Sequence, residues 1–216
     1  PFIWSAAAGM QLLPAANSRA ALAGINDSAL VVGTLTFAAS STAVALRRDS
    51  ALLDLSTLTG VALSDAIDTN NLAQIATNSR DRAYLLTLHP DWVGGDGNWA
   101  GGGGRWNFAG LGAAGAVGAV HEVVINPGIS ATVRGATQGL AQSLRVGGTA
   151  GQVVVLDLNG GTTQVATRTS LDDGGVLRGH GRHQGDVSVG GLARIEVGAG
   201  QTMQLTGDLA QQGLID

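Results

Sequence analysis

Apolar centres rich in β-formers recur through the second half of the chain. They fall at Val124, Val133, Leu144, Val154, Val165, Val176, Val187, Ile195, Leu205 and Leu214, at spacings of 8 to 11 residues. That spacing is one short strand plus a turn. Within the segments apolar and polar residues alternate, as in Ala193-Arg194-Ile195-Glu196-Val197 and Thr202-Met203-Gln204-Leu205, which predicts strands with one buried face. Glycine-rich corners separate them: Gly147-Gly148, Gly160-Gly161, Gly174-Gly175, Gly190-Gly191 and Gly198-Ala199-Gly200. The pattern fits a sandwich, and it fits a parallel β-solenoid better. The corners recur with similar chemistry, aromatics are absent after Trp106 apart from Phe108, and Thr, Ser, Gln and Asn fill the outward positions. A solenoid packs each rung only on its neighbours, so a uniform core of Val, Leu and Ile suffices.

The first half repeats on a longer period. Ile25-Asn26-Asp27-Ser28-Ala29-Leu30-Val31-Val32 resembles Thr69-Asn70-Asn71-Leu72-Ala73-Gln74-Ile75-Ala76, 44 residues later. Phe2-Ile3-Trp4 recurs loosely as Tyr84-Leu85-Leu86, and Leu53-Asp54-Leu55-Ser56-Thr57-Leu58 echoes Met10-Gln11-Leu12-Leu13. A period in the low forties, built of short strands and Asn/Asp turns, predicts propeller blades of four strands. Asn and Asp suit these turns because their side chains bond the local backbone and tolerate left-handed conformations. The alternative for the Ala-rich stretch 5–23 is a helix, since Ala is the best helix former.

Composition sharpens this division. Of 34 glycines only Gly9, Gly24, Gly33 and Gly60 precede residue 94, so an architectural boundary falls at residues 92–106, where three of the four tryptophans lie. The expected organisation is two propeller-like repeats over 1–90, a Trp/Gly-rich junction or cap over 91–110, and a solenoid over 111–216. The absence of cysteine excludes a disulfide framework, a thiolate metal site and a thiol nucleophile. A formal net charge of −4, with no basic run, excludes the usual nucleic-acid binder. The longest weakly apolar stretch, residues 109–120, is too short for a membrane helix.

Two resemblances follow from these motifs. Gly24-Ile25-Asn26-Asp27-Ser28, Val32-Gly33, Phe2-Ile3-Trp4 and Ala83-Tyr84-Leu85-Leu86-Thr87 resemble the HAF extracellular-repeat family of bacteria over residues 1–90. That family usually has Gly where this chain has Ala29 and Ala73. The resemblance implies an exported, propeller-like array with no established catalysis, and more blades upstream of Pro1. Trp92-Val93-Gly94-Gly95-Asp96-Gly97-Asn98-Trp99 with Trp106-Asn107, and the run from Gly175 through Leu209 to Gln212-Gly213-Leu214-Ile215-Asp216, resemble bacterial autotransporter passengers and PEP-CTERM surface proteins. The chain departs from that pattern in its Trp106-Asn107 order and in having glycines over 110–118. The resemblance implies a right-handed parallel β-helix, secreted or held at the outer cell surface. Any membrane attachment would come through an anchor or barrel outside this sequence.

The candidate chemistry is sparse. Asp172-Asp173, Gly179-His180-Gly181 and Arg194-Ile195 stand in the order seen in polygalacturonases. Convergent side chains on a β-helix, however, sit a full rung apart, and Asp173 and His180 are separated by seven residues. No carboxylates are evident at matching rung positions, so Asp172-Asp173 reads as a turn before two glycines. His180 and His183 form His-x-x-His, which reads as two surface histidines at a corner, with Glu196 as the third zinc ligand if the next strand stacks correctly. Gly94-Gly95-Asp96-Gly97-Asn98 carries one carboxylate, too few for a firm calcium site. Residues 101–104 are followed by Arg105 and lack the Lys-Ser/Thr of a phosphate loop. Trp92, Trp99 and Trp106 offer two readings: ring faces that stack on sugars, or a seal over the first solenoid rung. No catalytic residue, metal ligand or cofactor is expected, and the expected partner is extracellular polysaccharide or matrix. The alternative is a piece of a polysaccharide hydrolase or lyase.

Overall fold

A computed structural model describes residues 2–6, 9–12, 19–37, 40–47, 50–100, 105–135, 137–149 and 151–216. The fold is nearly all β, at 55% strand against 3% helix, and its C-terminal part is a β-solenoid of about four turns. Two compact units emerge, one of residues Pro1–Leu88 with Gly110–Ala116, the other of His89–Ala109 with Val117–Asp216.

The first unit is antiparallel. Its strands are β1 (Phe2–Ser5), β2 (Gly9–Leu12), β3 (Arg19–Ile25), β4 (Val31–Phe37), β5 (Ser40–Leu46), β6 (Leu53–Asp54), β7 (Asp65–Thr69), β8 (Gln74–Asn78) and β9 (Ala83–Thr87). They form a β1–β2 hairpin, a β3–β4–β5–β6 meander and a β7–β8–β9 meander. The stretch suggested as helical holds a turn at Ala6 and is otherwise strand where it is described, with β1 paired to β2 and β3 to β4. The echo between Leu53 and Met10 places both in strands, and the two segments then diverge. Asp54 caps a one-turn helix, α1 (Leu55–Thr59), by accepting from the backbone N–H of Ser56 and Thr57, whereas Met10 lies in β2.

The 44-residue period is physical. Each meander has a register shift at the same place, between Leu22 and Gly24 in one and between Ala66 and Asp68 in the other. Asn26 Oδ1 accepts from the Ser28 and Leu30 N–H groups, and Asn70 Oδ1 accepts from those of Leu72 and Gln74. Equivalent residues also touch. Asn26 Nδ2 donates to the Asn70 carbonyl (2.9 Å), Asn71 Nδ2 donates to Asp27 Oδ2 (2.6 Å), and Gly24 lies so close to Asp68 that a Cβ would come within 2.9 Å of its Cα. Asn26 Nδ2 gives its second bond to the Ala114 carbonyl, so all its polar atoms are satisfied at 8% exposure.

Both turns place alanine in the left-handed region, Ala29 at φ 58° and Ala73 at φ 52°. The geometry that glycine usually serves is therefore kept with a Cβ, at a steric cost of about 1–2 kcal/mol. Ala29→Gly should raise stability by about 0.5 kcal/mol once the added freedom of the unfolded chain is subtracted. The check is a denaturation midpoint, and a lowered midpoint would show the turn to be unstrained.

The second unit contains β10 (Pro90–Trp92), β11 (Gly97–Asn98), β12 (Trp106–Phe108), β13 (Glu122–Ile125), β14 (Ala131–Arg134), β15 (Gln138–Ala141), β16 (Ser143–Val146), β17 (Val154–Asp157), β18 (Thr162–Leu171), β19 (Gly175–Arg178), β20 (Gly181–Val189), β21 (Arg194–Glu196), β22 (Met203–Thr206), β23 (Leu209–Gln211) and β24 (Leu214–Ile215). One parallel sheet runs β10–β13–β16–β18–β20–β22, with β15 and β23 joined at its side, and the second runs β11–β14–β17–β19–β21–β24. All ten apolar centres lie in strands and alternate between the two sheets, so two spacings make one rung. The parallel pairing excludes the sandwich reading, whose sheets are antiparallel. Rung length varies: 18 residues separate Val176 from its partner Arg194, 25 separate Leu144 from Thr169, and 33 separate Trp92 from Ile125 at the first rung.

Interior residues stack in columns. One is Val123–Leu144–Thr169–Val187–Leu209, a second is Ile125–Val146–Leu171–Val189, and in the other sheet Val133–Leu156–Leu177–Ile195–Ile215 lie in register. The columns are buried up to the last rung, where Leu209, Leu214 and Ile215 are exposed. Burying each such side chain stabilises by about 1.5–3 kcal/mol, and each rung supplies the surface for the next.

Candidate functional site

The three tryptophans cap the first rung. Trp92 pairs with Ile125 and so continues an interior column, and a Cβ on Gly97 would sit 2.8 Å from its ring. Trp106 meets Trp92 edge-on at 4.9 Å and Trp99 at 5.3 Å. Trp92 Nε1 donates to the Gly95 carbonyl and Trp106 Nε1 to the Trp99 carbonyl, so both buried N–H groups are used. Exposure is at most 5% for all three. The expectation of sugar-stacking faces at Trp92, Trp99 and Trp106 is therefore corrected. Sequence shows that the rings are near one another, but not that each covers the next.

His180 and His183 part company. His180 is exposed, but His183 is fully buried, which corrects the reading of both as surface corner residues. It occupies the column Gly139–Thr163–His183–Leu205, with Nε2 3.0 Å from Thr169 Oγ1 and Nδ1 without a partner. Burial pushes its pKa from 6.5 down to about 4. The signal was present in the alternation that places His183, Val187 and Val189 on one side of β20. Among the described residues no group of three His, Asp or Glu side chains is placed to hold a metal ion. Asp96 instead accepts from the Thr132 N–H, and Asp172-Asp173 makes the tight turn into β19, with Asp172 paired to Arg145. Residues 101–104 lie outside the described residues.

The strongest arrangement was not anticipated. In the second sheet each residue of the Val133 column is followed by a charged one: Val133-Arg134, Leu156-Asp157, Leu177-Arg178, Ile195-Glu196 and Ile215-Asp216. The register puts Arg134, Asp157, Arg178 and Glu196 side by side on consecutive rungs, with Asp216 following Ile215 on the next. Carboxylates therefore do occupy matching rung positions, contrary to the expectation from spacing alone. Uneven rung lengths hide the match, and the apolar-then-charged dipeptide is the signal that reveals it.

Asp157, Arg178, Glu196 and Asp216 line a groove of about 490 Å³ with Asn159, His180 and Gln201. Arg178 holds Asp157 through Nη2 (3.0 Å) and Nε (3.3 Å) bonds to one oxygen, while the other accepts from the Asn159 N–H. Gly179 permits this, since a Cβ there would lie 2.6 Å from Asp157 Oδ1. Glu196 is held by Arg194. The rungs set neighbouring groups about 4.8 Å apart, a fixed polar comb on a rigid sheet.

No family model matches the chain, and comparison with curated proteins and with solved structures returned no match.

Proposed function

We propose that this chain is a non-enzymatic, secreted or surface-exposed bacterial repeat protein. In this reading it is a passenger or stalk whose solenoid carries a binding face for extracellular polysaccharide or matrix, with HAF-type propeller repeats before it. The observation that supports it most is the in-register ladder of Asp157, Arg178 and Glu196 on a stack of apolar columns. Such a stack has the stiffness to project a surface, and its outward positions vary freely because only inward positions hold the core. The HAF and passenger-type resemblances give the location.

A second reading, a polysaccharide hydrolase or lyase, draws on Asp157, Glu196 and Asp216 lining one groove. Hydrolysis needs two carboxyl groups facing each other across the substrate. Here Asp157 and Glu196 are each engaged by an arginine on their own sheet, which favours recognition over chemistry.

The test of the leading reading is location. Cells producing the whole gene product are treated with a protease that cannot cross membranes. Loss of this segment from intact cells, or its recovery from the medium, is expected. Full protection with recovery in the cytosolic fraction would refute the proposal.

A further inference from the structure

We infer that the groove over Asp157, Arg178 and Glu196 is a binding site for a neutral polysaccharide chain lying across successive rungs. This deepens the proposed function and rests on it.

The groove has the size of a small-molecule site, and its lining comes from successive rungs. Its groups are those that read vicinal hydroxyls. Carboxylate oxygens of Asp157, Glu196 and Asp216 accept, the Arg178 guanidinium donates, and the Asn159 and Gln201 amides do both. The rung repeat of about 4.8 Å is close to the length of one pyranose unit, so consecutive sugars meet consecutive rungs. The Asp157–Arg178 pair is already formed, so its two side chains need little further ordering on binding.

Charge selects against uronate polymers. Three carboxylates face the groove, against Arg178 within it and Arg194 beside Glu196. A chain carrying a carboxylate on every sugar meets like charge at the rungs of Asp157, Glu196 and Asp216, whereas a hydroxyl-only chain does not. Among the described residues no Phe, Tyr or Trp lines the groove, so affinity per site is modest, with a Kd of about 0.1–1 mM.

The experiment is affinity electrophoresis of the full chain through gels containing glucan, xylan, galactomannan or polygalacturonate, with titration calorimetry for any glycan that retards it. Retardation by at least one neutral glycan is expected, with affinity reduced at least tenfold in both Arg178→Ala and Glu196→Gln. Arg145→Ala, whose side chain pairs with Asp172 outside the groove, should bind as wild type. Thermal melts of each variant report folding. Neutral-glycan binding that survives both groove substitutions overturns this site while leaving polysaccharide binding in place. Retardation by polygalacturonate alone overturns the neutral class, and no retardation in any gel overturns the site. Release of reducing ends by wild type, abolished in Glu196→Gln, replaces binding with catalysis. Surface location is read separately by protease accessibility and stands or falls independently of these outcomes.

Discussion

Gly174→Ala should destabilise the solenoid by about 4 kcal/mol, whereas Gly191→Ala at the neighbouring corner should change stability by less than about 0.5 kcal/mol. Gly174 has φ +72°, a region where a Cβ costs about 1–2 kcal/mol. That Cβ would also lie 2.0 Å from the Gln152 carbonyl oxygen, a backbone atom of the preceding rung. Relief would require separating rungs that Gly174 itself joins. Its N–H donates to the Leu192 carbonyl, and its own carbonyl accepts from the Val154 N–H. Gly191 has an ordinary φ and nothing within 4 Å of its would-be Cβ. Denaturant midpoints with unchanged slopes decide the matter. Equal losses at both sites would mean that the corners respond to glycine content rather than to this close approach.

Acid should unfold the protein through His183. Its ordinary pKa of 6.5 falls to about 4 in the fold, where the imidazole is buried between Thr163 and Leu205. Above pH 6.5 both folded and unfolded states carry a neutral ring and no penalty arises. Below it the unfolded chain takes up a proton that the native state refuses, so stability falls until about pH 4, by about 3 kcal/mol in all. His183→Leu replaces the ring with the residue type of the next rung. It should match wild type within about 1 kcal/mol at pH 7.5 and exceed it increasingly toward pH 4. Urea midpoints for both proteins across that range isolate His183 from the carboxylates they share. Parallel curves would show that the ring is protonated in the fold.

These two residues mark where sequence reading succeeded and where it stopped. The ten apolar centres each landed in a strand, because a buried column demands a branched or aliphatic residue at nearly every rung. Asn26 and Asn70 were legible as repeats because their side-chain oxygens replace backbone partners in a turn of fixed shape. The groove was not legible by counting. Asp157 and Arg178 are 21 residues apart and Arg178 and Glu196 are 18, so no single period aligns the three. The tryptophans left two readings open for a different reason. Spacing placed Trp92, Trp99 and Trp106 together, but their burial depends on contacts it does not show, such as the close approach of Gly97 to the Trp92 ring.

The contacts between residues 44 apart bear on how such a chain lengthens. Asn26 reaches Asn70, and Asp27 meets Asn71, so each seam is made from the same positions in both copies. A tandem duplication of the gene segment therefore delivers both sides of a new seam at once. No complementary surface has to arise by separate mutation. Length in this architecture becomes a matter of copy number, open to recombination and adjustable in whole modules.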